Sequence, residues 1–277
     1  MFTQHTTDAR NLAAAADAHG VSLPGDLPDM IAHAAALEAD ARDLRNLTPA
    51  TIARDLVTHL GDPAAMTEAR KAAALELAAN EADKQISAVL ANTVASALAR
   101  QIRSDRDAIA AAFTEAAHTH TETLIEHAGR LPDWFRPEQA VDLDPDLFAA
   151  WRAVETATAA LEAMRVALSP CYGRAADGPL LTSRGHRALA YVKAPQDMDR
   201  QTAHHIALAL DGRQRGGGDA APPADVAVFP PTTLAHLGCT FAWATPTEVA
   251  ARVEHLTEAA TKSRTDRTQR AAAVSTF

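Results

Sequence analysis

The chain has 277 residues, a net charge of −9 and 22% charged residues, enough length to bury a sizeable core. Its charge is spread without a basic face, which argues against nucleic acid as a partner. Two cysteines make no disulfide framework and lack metal-ligand spacing, and no stretch approaches the ~18 consecutive apolar residues of a membrane span.

A reducing cytoplasm is the expected location, or a virion if the gene is a phage's. The start, MFTQHTTDARNLAAAADAHG, lacks the basic-then-apolar order of a secretory signal. Alanine makes up about a quarter of the residues, and arginine outnumbers lysine 22 to 4. That bias is typical of high-GC coding sequence such as an actinobacterium or one of its phages. The scarce aromatics fall mostly after Leu131, so helices packed through small side chains are expected before that point and a more ordinary core after it.

In chain order, a first helix is predicted over about Thr7 to His19 with Gly20 as its stop. A second follows over about Asp29 to Asn46. A third has Thr48 as N-cap, Pro49 in its first turn and Gly61 as terminator. Asp62 and Pro63 repeat the start signal, and neither Gly nor Pro then occurs until Gly129. The expectation is one very long Ala-rich helix over about 63–129, roughly 100 Å if unbroken. A compact chain of this length has a radius of gyration of only about 19 Å, so such a helix either has the N-terminal helices of its own chain folded back along it or also needs cover from other subunits.

The apolar positions of that run recur at spacings of 11 and 12. A period of eleven places about 3.67 residues in each turn, which predicts a nearly straight or slightly right-handed seam rather than a left-handed heptad coil. The expected oligomer seam is Leu75, Ile86, Leu90, Val94, Leu98, Ile102, Ile109, Phe113, His120 and Leu124.

Near its end stands HTHTETLIEH (118–127), with three histidines and two glutamates. At 100° per residue His118 and His120 point about 200° apart, and His120 and His127 are about 10 Å apart along the axis. Glu115 and His118 form an E-x-x-H pair that resembles one half of the ferritin-like di-iron pattern, but the chain holds no second E-x-x-H. Glu115, His118, His120 and His127 are therefore weak metal candidates only. No metal and no cofactor are expected.

After Gly129, RLPDWFRPEQAVDLDPDLF reads as a loop, with Trp134 and Phe135 as an aromatic anchor for a partner. DLDPDLF (142–148) starts like an EF-hand but has Leu147 where Gly is needed, so Asp144 is read as the cap of a helix running to about Leu168. HRALAYVKAP, ADVAVFPP and CTFAWATP are candidate strands, and TAHHIALAL suits helix or strand. About 211–224 is a flexible loop, and Thr245 with Pro246 opens a last amphipathic helix. The basic run KSRTDRTQR (262–270) reads as a solvated tail.

The expected fold class is mainly α: an N-terminal helical region (1–62), a long packing helix (63–130) and a small α+β domain (131–277). No H-E-x-x-H, G-x-S-x-G, Walker A or dinucleotide motif is present. These readings imply a non-enzymatic structural or assembly protein, forming a homo-oligomer or joining other assembly proteins, with no membrane contact. One alternative is a metal- or Cys/His-dependent enzyme sited in the C-terminal half on Cys171, His186, His204 or His205. Another is an adaptor or regulator working through the basic tail.

Overall fold

The computed structural model describes residues 4–43, 63–132, 142–173, 180–211 and 231–274. Among them the chain is mainly α, with helices α1 (Gln4–Ala18), α2 (Leu27–Asp43), α3 (Pro63–Ser104), α4 (Arg106–Ala112) and α5 (Thr114–His127). They are followed by α6 (Pro145–Ala167), α7 (Ser169–Tyr172), α8 (Ser183–Ala188), α9 (Arg200–Leu210), α10 (Pro231–His236) and α11 (Pro246–Val274). Strands β1 (Val192–Lys193) and β2 (Thr240–Phe241) form the small sheet, antiparallel, with Val192 opposite Phe241. The third expected helix, the anchor residues Trp134 and Phe135, the ADVAVF segment and the loop beyond Asp211 lie outside the described residues.

The backbone separates into two compact units. One is Met1–Ala13 with Pro24–Ser104; the other is Ala14–Leu23 with Asp105–Phe277. In the first, α3 packs along α2. Its core is built from small and medium side chains, among them Ala9, Leu12, Leu27, Ile31, Ala95, Leu98 and Ile102. Arg10 pairs with the buried carboxylate of Glu38.

In the second, α5 lies against α6 and α9 against α11. Phe113, Leu124, Leu161, Met164, Tyr191, Leu210 and Leu256 are fully buried. The aromatics predicted to concentrate here supply its bulk, Tyr172 meeting Trp243 edge-on with ring centroids 6.5 Å apart.

Local start and stop signals act as the sequence predicts. Gly20 ends α1 with φ +64. Val21 N–H donates to the Ala16 carbonyl at 2.8 Å and Gly20 N–H to Asp17 at 3.2 Å, the paired bonds of a Schellman stop. Asp144 caps α6 by accepting from Leu147 N–H at 2.8 Å. Thr245 and Glu248 form a reciprocal capping box at the start of α11.

The expected long helix begins at Pro63 but runs unbroken only to Ser104. It breaks again at Phe113, whose N–H bonds to Ala110 with 3-10 spacing. Contacts from far along the chain anchor α4, the short helix between the two breaks. The Trp243 indole N–H donates to the Ala110 carbonyl at 3.0 Å. Asp107 accepts from the Thr247 N–H at 2.9 Å and hydroxyl at 2.6 Å, satisfying one of the orphan donors that open α11. Burial opposes ionisation of Asp107, yet these bonds and neighbouring Arg106 hold its carboxyl below the usual range.

Of the candidate strands, Val192–Lys193 and Thr240–Phe241 form, while TAHHIALAL is helical within α9. Tyr191 and Ala190 carbonyls extend the pairing by accepting from Ala242 and Ala244. One Arg252 amino group of α11 lies 2.9 to 3.1 Å from the carbonyls of Leu189, Val192 and Ala242 and shares its two protons among them, fastening this short sheet to the helix.

Candidate functional site

The expected seam divides. Leu98 and Ile102 in the first unit, and Ile109, Phe113 and Leu124 in the second, are buried within the chain itself, and Val94 is half-buried. Leu98, Ile102, Ile109, Phe113 and Leu124 thus belong to the cores of their own units. The N-terminal stretch behaves differently. Leu75 is 74% exposed, Ile86 64% and Leu90 43%, and Val89 joins them at 67%.

At 100° per residue these four side chains fall within a sector of about 100° on α3. Ala79 and Ala82 share that sector and are also exposed. The buried side of α3, carrying Ala95, Leu98 and Ile102, is roughly opposite. The helix thus has two apolar faces, one turned into its own unit and one to solvent.

The histidine segment does not converge. His118 Nδ1 lies 3.2 Å from Glu122 on an exposed face, and Glu115 is exposed one turn earlier. His127 is 3.8 Å from Glu126, and Arg130 approaches its Nδ1 at 3.4 Å. His120 is half-buried, and burial together with the neighbouring His19 holds its imidazole below the usual range. His19 in turn meets Phe113 edge-on. His120 therefore lies against its own unit. Among the described residues no group of three or more His, Cys, Asp or Glu is placed to hold a metal ion.

Cys171 and Cys239 are both buried, and burial pushes their thiols up to about 12. A thiol held protonated in this way is a poor nucleophile. His186 and His205 are half-buried and His204 is exposed.

The polar fixtures that the sequence does not announce are elsewhere. Asp211, at the end of α9, accepts from the Thr182 N–H at 3.0 Å, the Thr182 hydroxyl at 2.6 Å and the Gly185 N–H at 3.1 Å. The Arg165 guanidinium is buried over the Tyr172 ring at 4.3 Å, with Nε and Nη1 making no hydrogen bond. Burial depresses its pKa, only partly countered by Tyr172 and Glu162. Glu162 accepts the buried Tyr191 hydroxyl at 2.8 Å. Sequence position carries no sign of these, since each joins residues from separate elements.

No family model, curated protein or solved structure matches the chain. Among the described residues no helix is long and apolar enough to cross a membrane.

Proposed function

We propose that this chain is a non-enzymatic structural or assembly protein that associates with copies of itself, and with other assembly proteins, through the outward stripe of α3. The observation that carries the reading is the exposure of Leu75, Ile86, Val89 and Leu90 along one sector of one helix. Scattered surface aliphatics are ordinary, whereas a contiguous stripe marks an interaction surface. Leu75 and Ile86, eleven residues apart, lie almost in line along α3, which supports a nearly straight helix pair. The alanine-rich, arginine-biased composition supports a virion component (head, connector or tail) of an actinobacterial phage, with the cytoplasm as the alternative location.

The test is mass measured by light scattering over a wide concentration range. The wild type is expected to rise above its 29.3 kDa chain mass as concentration increases. Ile86→Glu, at an exposed position that the fold does not need, is expected to remain monomeric with unchanged helicity. A wild type that stays monomeric at every concentration refutes self-association.

A further inference from the structure

Resting on that reading, we propose that two copies pair antiparallel along α3, in the register that sets Ile86 against the partner's Ala82. Two properties of the stripe point to this arrangement. The first is size. Three of its four bulky residues, Ile86, Val89 and Leu90, lie toward the C-terminal half, with the small residues Ala78, Ala79 and Ala82 one turn or more before them, and the fourth, Leu75, falls opposite the partner's exposed Thr93. An antiparallel partner places Val89 over the partner's Ala79 and Leu90 over the partner's Ala78, so large side chains fill the space left by small ones. A parallel, in-register partner sets bulky against bulky and small against small.

The second is charge. Glu68 and Arg100 extend the same sector at its two ends, and both are exposed. The antiparallel register places Glu68 across from the partner's Arg100 at each end of the pair, whereas parallel pairing juxtaposes like charges. Opposed helix dipoles favour the same orientation. The Glu68–Lys71 pair, 2.8 Å apart within one chain and largely exposed, leaves Glu68 free to exchange partners because exposed pairs hold weakly. Asp83 at the margin of the stripe meets its own copy near the two-fold axis, a solvated like-charge contact that limits affinity.

Cysteine cross-linking reads the orientation directly. Ala79→Cys and Val89→Cys are made singly, oxidised mildly, alone and as an equimolar mixture, with the wild type and its two buried thiols as control. In the proposed register neither variant reaches its own copy, because like positions are roughly 15 Å apart along the axis and a disulfide needs Cα atoms within about 7 Å. The mixture is expected to give cross-linked dimer at least about tenfold above either variant alone. Cross-linking of Ala79→Cys by itself overturns the antiparallel register while leaving self-association standing. A monomeric wild type overturns both.

Charge exchange supplies the second arm. Glu68→Arg is expected to weaken the dimer roughly three- to tenfold, the size of a few reversed surface pairs. Glu68→Arg/Arg100→Glu is expected to return to within about twofold of wild type. A double variant as weak as the single overturns the register.

Discussion

Gly185→Ala probes how rigidly α8 is held against the C-terminal end of α9. A Cβ at this position would stand 2.5 Å from Asp211 Oδ1 and 2.8 Å from a Leu181 methyl. The leucine methyl is the end of a flexible side chain and yields, but the carboxylate does not. Asp211 is fixed by the Thr182 N–H, the Thr182 hydroxyl and the Gly185 N–H, all within 3.1 Å of Oδ1. To restore ordinary contact it must retreat by about 1 Å, which stretches one or two of these bonds past useful length. Hydrogen bonds to a charged acceptor are each worth about 1.5–3 kcal/mol net, and overpacking adds a cost of similar size. A destabilisation of about 2–4 kcal/mol follows.

For a unit of this size, that loss lowers Tm by roughly 5–15 °C. Urea unfolding of Gly185→Ala, Asp211→Ala and the double variant, followed by circular dichroism, gives the free energies. With the carboxylate removed the added methyl has room, so the double variant should fall short of additivity by at least about 1 kcal/mol. Gly185→Ala within about 0.5 kcal/mol of wild type, or strict additivity in the double variant, would refute the steric argument.

Three further outcomes follow from the polar fixtures. The Asp107 carboxyl is held below its ordinary value of 3.8, so its stabilising contribution is complete above that pH and is lost as pH falls through the lowered folded value. Acid unfolding curves of wild type and Asp107→Asn should therefore stand fully apart above about pH 4 and draw together as pH falls below it; parallel curves would count against the Thr247 contact. Arg165→Met replaces a buried cation lacking two hydrogen bonds by a side chain of similar reach, and should be neutral or stabilising by about 1 kcal/mol or more, whereas Arg165→Ala should cost about 2 kcal/mol or more through lost packing. Denaturant titrations in which Met is as damaging as Ala would show that the charge itself is needed. Both buried cysteines should resist a thiol reagent at pH 8 in the native protein and react rapidly in denaturant. Fast native labelling of Cys171 would revive the Cys/His enzyme reading.

Element type was legible wherever a local rule decided it. Gly20, Asp144 and the Thr245–Glu248 box carry their geometry in two to five consecutive residues, and each terminates or starts its helix as the sequence predicts. The run from Ala64 to Ala128 was legible as helix but not as three helices. The short helix between the two breaks is held by an indole from Trp243 and a threonine at 247, more than 130 positions away. Nothing between Ser104 and Thr114 has to break a helix by its own propensity. The same distance problem split the expected seam. Periodicity identifies apolar positions but cannot say which are covered by the chain's own elements, so Leu98 and Leu75 read alike although one is buried and the other lies open. The histidine segment was the reverse case: rotation along a helix separated His118 from His120 without help from tertiary structure.

The three-carbonyl grip of Arg252 has a consequence for vectorial synthesis. The two strands contribute only two residues each, too few to hold together unaided. Arg252 donates to Val192 across a separation of 60 residues, so the β1 segment leaves the ribosome well before the guanidinium that fastens it. At about 5–20 residues per second this delay is roughly 3–12 s. For most of that interval, until Thr240 and Phe241 have been made, the apolar stretch around Tyr191 has neither its strand partner nor its clamp, and for the remainder it has the partner without the clamp, a window in which a nascent chain is open to chaperone binding or to pairing with a neighbouring polypeptide.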